Sequence, residues 1–569
     1  MLLAGMVLSA VLVFGFGRRA YFSGDELSIV SLVGRLKPSE LFEPYVGHLV
    51  PIPLLAYRAV LDVFGTGEYF AFQAMTLLAI FLLAWFLFLW ARQRVPAWVA
   101  VAPCLLLTIF PQDILHYLAG NGFTIVFALA CGGGALYAFD RRTALGDVSA
   151  FALLVLGMMT YTVAVAFAIG VLVAALLDRD RRRAWVAGLP LIAYALWRLT
   201  VASASTEIED AGPDFVNLFL LPAWTFQSIG GSLAALFGLD FDFSGLAAEN
   251  GATTFAAASL AVVFLGYGAV VVARGKAGSG LVVVAAIALA LFASQTLVWG
   301  TFEARPGPGE DRYLYPGALA VILIGLELVR RVEWDRIRVG AVWLVTGLSL
   351  VGAIGILAVS QNRESLAGKA RAEVLGVTLL ASTEDPPKVG DQPRDAIRKS
   401  FDPEDGSQFG YLGFTEADLA AGESRWGETV DAFLAESLRL KLRPVPEGVI
   451  AWRCRPATGS ERAVLPVRGA ILYSVRPLEL VLGRYGEAAT VPVGPLGTRM
   501  PATIRLLRDD GRKRWFLSVT RGSAGTLADL TVCRYRPTPS PAVSSPFPEG
   551  PPGPPGQARS GAPAPSDRP

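Results

Sequence analysis

The sequence predicts an α-helical polytopic membrane protein of about eleven transmembrane helices. A C-terminal extracytoplasmic α+β domain follows, ending in a β-sandwich-like part. Three observations lead there. The 569 residues are 53% hydrophobic and 17% charged, with mean hydropathy +0.48, whereas a soluble globular chain carries about 25% charge. Apolar runs of roughly 17–25 residues, enough to cross a hydrocarbon core, recur through the first part of the chain. From Gln361 the composition becomes that of a soluble domain. The expected organisation is therefore 1–360 transmembrane, 361–535 extracytoplasmic and 536–569 a tail rich in Pro and Gly. Such a tail cannot bury a core and is expected to be disordered.

The first run, 1–17, lacks a basic segment before it, and Arg18 and Arg19 follow it. It reads as a retained helix rather than a cleaved signal. Residues 69–90 are strongly apolar and lead to Arg92 and Arg94; 96–110 return, and 121–139 cross to Arg141 and Arg142. The run 148–177 is too long for one span and is broken at Tyr161 and Thr162, so it reads as a hairpin of two helices ending at Arg179 and Arg181 to Arg183. Residues 184–201 lead into a long polar stretch, 202–252. Spans at 253–273, 280–300, 313–329 and 339–359 complete the set.

Short loops rich in Arg and Lys all fall on one face, which the positive-inside rule makes cytoplasmic. The loop after the first helix, the Asp113 loop, the 202–252 stretch, the Arg312 loop and the C-terminal region fall on the other. The net charge of +2 hides this segregation. Arg18 and Arg19 break the rule, and cations at that position could hold a lipid phosphate.

In the soluble part, 373–380 and 416–440 read as helical. Runs at 449–454, 470–475, 478–482, 504–507, 515–519 and 530–535 read as strands. Cys104 and Cys131 lie in spans and read as small core residues. Cys454 and Cys533 lie in predicted strands of a domain facing an oxidising compartment. Their pairing into a disulfide, stapling the first and last strands, is expected there.

Chemistry-bearing residues gather on the outer face. Asp25 and Glu26 are adjacent acids in the polar segment FSGDELSIV. A carboxylate at the membrane–water boundary can act on a water-borne substrate while its neighbours hold a lipid-borne one. The two histidines, His48 in GHLVPIP and His116 in PQDILHY, belong to the same face. Asp113 precedes His116 by one helical turn, so the two could share a side. Arg312 and Tyr313 in EDRYLYPG sit at the outer end of a late span. An Arg there suits a phosphate through paired N–H donors; it equally suits snorkelling beside Glu310 or Asp311. The sequence has no P-loop, no GxGxxG on a strand–turn–helix and no HExxH, so nucleotide-driven chemistry is unsupported.

Taken in order, these motifs resemble the GT-C superfamily of multi-spanning glycosyltransferases, and within it the protein O-mannosyltransferases and TMTC-type enzymes. The anchor is the acid pair Asp25 and Glu26 after the first helix. His48 with Pro51, Pro53 and Leu54, the second acid Asp113, and Asp311, Arg312, Tyr313, Leu314 and Tyr315 with Pro316 are similar to the family's further motifs. Glu in place of a second Asp, and Pro316 one place early, depart from them. The resemblance implies a GT-C-like membrane domain. It also implies inverting transfer of a hexosyl or pentosyl group from a polyprenyl-phosphate sugar to an extracytoplasmic acceptor, a cell-envelope glycan, lipid or protein. Asp25 would be the base and Glu26 its partner in orienting the acceptor. His48, Asp113, His116, Arg312 and Tyr313 would bind substrate, with Arg18, Arg19 or Arg305 as further cations. The expected location is the plasma (inner) membrane, with no nucleic-acid partner. A divalent metal is left open. A transporter or flippase for a polar lipid would sooner place ionisable groups at the midplane. A non-catalytic envelope scaffold would leave the acid pair unexplained.

Overall fold

The computed structural model describes residues 1–17, 20, 22, 26, 29–30, 32–33, 36–45, 47–65, 69–110, 120–178, 180–201, 215–239, 251–299, 311–359, 372, 376, 424–438, 440–457, 462–466, 469–486, 489–505, 514–520 and 523–537. Side chains at 251–254, 298–299, 311–312, 359, 424–426, 437, 505 and 535–537 are outside that description. Two compact units divide the chain. The first holds 1–439 with 482–491 and 508–513, and the second holds the remainder.

The first unit is a helical bundle. Its helices are α1 (Leu2–Phe16), α2 (Pro51–Phe64), α3 (Phe70–Ala91), α4 (Ala97–Thr108), α5 (Gly122–Asp140), α6 (Ala144–Met158) and α7 (Ala164–Leu177). After these come α8 (Trp185–Thr200), α9 (Leu221–Leu236), α10 (Gly251–Ala273), α11 (Ser279–Trp299), α12 (Asp311–Leu328), α13 (Arg336–Val359) and α14 (Ser424–Ser437). Among the described residues, six helices are long and apolar enough to cross a membrane: α3, α5, α10, α11, α13, and α9 with the 3-10 turn before it. Helices α1, α4, α6, α7 and 313–328 are apolar but shorter, and α8 is in neither group.

Helix α5 is the hub. It packs against α3, α6 and α7 and is buried nearly all round. Its Gly132 lies against the Phe167 ring of α7, where a Cβ would come within 2.4 Å. The hairpin expected at 148–177 is present as α6 and α7, parted at Met159 to Val163.

Ion pairs fix the direction of the helices. Arg94, just past α3, bonds Glu327 near the end of α12 at 2.5 Å and Asp140 at the end of α5 at 2.7 Å. Arg183, just past α7, bonds Asp147 at the start of α6. Gly280, at the start of α11, lies against Glu327. Helices α3, α5, α7 and α12 therefore end at this basic end of the bundle, and α6 and α11 begin there. At roughly 1.5 Å per residue, the opposite end is about 30 Å away.

Helix α9 corrects the expectation that 202–252 is a polar external stretch. It is apolar, yet its neighbours keep it at the far end of the bundle. Asn217 just before it bonds the Leu297 carbonyl, and Trp224 bonds Gln295, both near the end of α11. Ser232 meets Gly317 in the second turn of α12, and Gly238 meets Gly352 in the last third of α13. Helix α8 arrives at this end and α10 leaves from it, since Gly268 near the end of α10 touches Leu328. So α9 dips in from one side and the chain departs on the same side. A length-and-hydropathy criterion counts it as a span because its buried face is as apolar as a lipid-facing one. Of the eleven spans read from sequence, 184–201 (α8) lacks the hydropathy of a span and carries Pro190 inside it.

The strands are β1 (Arg443–Pro444), β2 (Val449–Pro456), β3 (Ala463–Val464), β4 (Gly469–Ser474), β5 (Leu478–Gly483), β6 (Val491–Leu496), β7 (Ala502–Arg505), β8 (Phe516–Val519) and β9 (Leu530–Pro537). They form a five-stranded sheet, β1-β7-β4-β9-β2, and a four-stranded sheet, β3-β8-β5-β6. Alternating apolar residues such as Leu478, Leu480 and Leu482 of β5 are buried. Cys454 and Cys533 are disulfide-bonded, S–S 2.08 Å. They join the neighbours β2 and β9 where the register slips by one residue between Trp452 and Arg455. The bridge does not join the first and last strands, because β1 precedes β2 and pairs with β7. The helix expected at 416–440 is α14, and the one at 373–380 lies mostly outside the described residues. Asp431 of α14 accepts the backbone N–H groups of Arg484, Tyr485 and Gly486 at 2.7–2.9 Å. Burial raises its pKa, outweighing the backbone bonds that lower it.

Candidate functional site

Glu26 is helical and completely buried. A buried carboxylate is tolerated only when its lone pairs are met. Tyr57 of α2 donates to Oε1 at 2.8 Å, and Tyr69, at the cap of α3, donates to Oε2 at 2.8 Å. Burial first, and then the Glu26 charge, push the Tyr57 hydroxyl well above its ordinary pKa. Tyr57 thus remains a proton donor to the carboxylate. Phe22 and Phe72 close the pocket: Phe22 meets Tyr69 and Phe72 edge-on at 4.9 and 4.8 Å between ring centroids. Gly120, before α5, lies against the same carboxylate. Its N–H donates to the Tyr69 hydroxyl at 3.0 Å, and its carbonyl accepts from Thr76 at 2.9 Å.

Local sequence explains these positions. Proline at Pro51 and Pro53 opens α2, where missing N–H groups cost nothing. The apolar side of α2, with Leu54, Tyr57 and Leu61 buried, then lies against the bundle. Tyr69, Phe72, Gln73 and Thr76 lie three and four apart on one face of α3. Gln73 donates to the Gly17 carbonyl at 2.8 Å, so the first polar segment is pinned where it starts as well as at Glu26.

His48 sits at the same end of the bundle, half-buried. Its Nδ1 is 2.7 Å from the Thr162 hydroxyl, in the turn between α6 and α7, and its ring lies tilted against that of Tyr161, 4.2 Å between centroids. Thr162 also meets the Tyr194 hydroxyl at 3.2 Å. From the end of α8, Arg198 donates to the Gly47 carbonyl and Trp197 to that of Phe42. Residues 42–45 and 47–48, with their Tyr45–His48 bridge, are thereby fixed over the end of the bundle. Glu26 and His48 thus share the end remote from Arg94 and Arg183.

Asp25, Asp113, His116, Arg18, Arg19 and Arg305 lie outside the described residues. Arg312 belongs to the first turn of α12, its side chain outside the description, and Tyr313 beside it is half-buried. Tyr315, one turn on, donates to the Leu107 carbonyl at 2.9 Å and anchors that end of α12 to α4. Glu26 does not face solvent, and both its oxygens are occupied by tyrosines. The carboxylate expected to orient the acceptor thus lies buried between Tyr57 and Tyr69. Tyr57, Tyr69 and Gly120 escaped sequence reasoning, since nothing local marks a tyrosine as a partner of a distant acid. Among the described residues, no group of three or more His, Cys, Asp or Glu side chains is placed to hold a metal ion.

No protein-family model matches the chain, and no curated protein matches it. Among solved structures it is similar to the crystal structure of ArnT from Cupriavidus metallidurans bound to undecaprenyl phosphate. That likeness has 12% identity and a TM-score of 0.43, and covers 70% of this chain and 84% of that chain.

Proposed function

We propose that the chain is a membrane glycosyltransferase that moves a sugar from a polyprenyl-phosphate donor to an extracytoplasmic acceptor, with inversion at the anomeric carbon. The observation that carries this reading is the buried Glu26 carboxylate, held by two tyrosine hydroxyls at the end of the bundle remote from the Arg clusters. Burying a charge is costly unless it is paired and hydrogen-bonded. A carboxylate kept there beside a second acid suits a role in fixing its neighbour. Asp25 is the base: it takes the proton of the acceptor hydroxyl as that oxygen bonds to the anomeric carbon. The bond from that carbon to the phosphate oxygen breaks, and polyprenyl phosphate leaves with the electron pair. Arg312 neutralises the departing phosphate, aided by Arg18, Arg19 or Arg305. His48, Asp113, His116 and Tyr313 shape the two substrate sites.

The test is sugar transfer from polyprenyl-phosphate sugars in membranes carrying the protein. Asp25→Asn keeps shape and removes the base, so turnover is lost while donor binding persists. Arg312→Ala weakens both, because a phosphate contact acts in the ground state and in the transition state. Lys at 312 recovers part, supplying charge without the planar fork. Full activity in Asp25→Asn contradicts the assignment.

A further inference from the structure

The face of α3 that carries Tyr69, Phe72, Gln73 and Thr76 holds three separate pieces of chain. Gln73 holds Gly17, where the first polar segment starts. Thr76 holds the carbonyl of Gly120. Tyr69 holds two pieces at once, because its hydroxyl donates to Glu26 Oε2 and accepts the N–H of Gly120. A hydroxyl has one proton to give and lone pairs to receive, so these two bonds are compatible and align each other. Tyr57 reaches Oε1 of the same carboxylate, yet it makes no bond to the Gly120 amide. The two tyrosines therefore differ in kind. Tyr57 adds a second donor to a buried acid. Tyr69 ties that acid to the backbone that enters the hub helix α5.

We propose that Tyr69 is a positioning residue: its hydroxyl locks Glu26, the residue that follows the proposed base in sequence, to Gly120 just before α5. What the lock does for turnover rests on the glycosyltransferase reading; the lock itself does not. Gly120 suits this arrangement in a further way. A Cβ there would stand 2.5 Å from Glu26 Oε1 and 2.7 Å from the Phe72 Cβ, so the amide reaches the tyrosine only because the residue has no side chain. A lock of this kind acts on geometry at the reacting atoms, where a displacement of about 1 Å costs on the order of a hundredfold in rate. It does not act on the donor's phosphate contacts.

The experiment compares Tyr69→Phe with Tyr57→Phe in the full-length protein in lipid nanodiscs, with two readouts. The first is hydrogen–deuterium exchange of a peptide containing Gly120. Loss of the Tyr69 hydroxyl frees that amide, so Tyr69→Phe speeds its exchange at least tenfold while Tyr57→Phe leaves it near wild type. The second is steady-state sugar transfer. Tyr69→Phe lowers kcat at least tenfold with donor KM within about twofold, and its loss exceeds that of Tyr57→Phe. Equal exchange at Gly120 in the two variants overturns the lock. Faster exchange with wild-type kcat overturns the positioning role. A wild-type protein that transfers no sugar from any polyprenyl-phosphate donor removes the glycosyltransferase reading, and the exchange comparison still decides the lock.

Discussion

Gly120→Ala is the smallest change that loads the site, and the structure sets its cost. The added methyl meets Glu26 Oε1 at 2.5 Å, the Phe72 Cβ at 2.7 Å and the Tyr57 hydroxyl at 3.0 Å. Phe72 is wholly buried on α3 and cannot yield. The carboxylate must therefore move, and the Tyr57–Glu26 bond at 2.8 Å lengthens with it. Overpacking of a well-filled site costs about 1–3 kcal/mol, and loss of a buried bond to a charged group about 1.5–3 kcal/mol. Partial relaxation leaves an expected total of about 2–4 kcal/mol. Gly133→Ala in α5 is the control, since its nearest neighbour, a Leu83 methyl, lies 3.8 Å away and alanine favours a helix by about 1 kcal/mol. Thermal unfolding in nanodiscs, followed by tryptophan fluorescence, reads the difference. Gly120→Ala should melt several degrees below wild type and Gly133→Ala at or above it. Equal midpoints would refute the packing argument around Glu26.

Four further outcomes are expected. Arg94→Ala leaves Glu327, whose side chain is 2% exposed, with the more distant and exposed Arg330 at 3.5 Å; breaking a buried pair costs about 3–5 kcal/mol, of which Arg330 offsets a part, so the yield of folded protein in detergent should fall. Replacing both Cys454 and Cys533 by Ser should lower the stability of the sheet unit by about 2–4 kcal/mol, measured by proteolysis of that unit, and non-reducing peptide mapping of wild type should recover the bridge. A C-terminal reporter active only in the cytoplasm should be silent, and one inserted between α9 and α10 should be silent with it, since α9 does not change sides; a bright signal from the insertion would make α9 a span. Asp431 has its pKa raised by burial above 3.8. Its contribution is therefore fully present below that value and is lost as pH rises through the raised one. The unfolding midpoint of the protein, followed against pH, should show that slope in wild type and lose it in Asp431→Asn.

Much of the membrane part was legible because lipid and protein interiors both demand long apolar runs. The hairpin broken at Tyr161 and Thr162 and the strands around 449, 470, 478 and 530 fell where periodicity and turn residues put them. Helix α2 is not legible in the sequence, because its apolar face repeats every three to four residues between polar ones and its hydropathy is modest. Helix α9 is hidden among polar flanks, and its shallow course depends on contacts with α11, α12 and α13 that no local pattern encodes. At the site, the adjacency of Asp25 and Glu26 was visible. What holds Glu26 was not, because Tyr57 and Tyr69 are distant in sequence and reach it only once α2 and α3 are docked. The Arg94–Glu327 pair was hidden in the same way: each residue reads as a helix-end charge, and only the parallel course of α3 and α12 joins them.

The most direct measurement compares Asp25→Asn with Glu26→Gln in one preparation, scoring sugar transfer from a polyprenyl-phosphate sugar alongside the melting midpoint. With Asp25 as the base and Glu26 as its buried anchor, Asp25→Asn abolishes transfer with an unchanged midpoint. Glu26→Gln lowers the midpoint and reduces transfer as a consequence, because its amide cannot accept from both tyrosines. Transfer that survives Asp25→Asn, or a Glu26→Gln protein that melts like wild type and transfers nothing, would contradict the account.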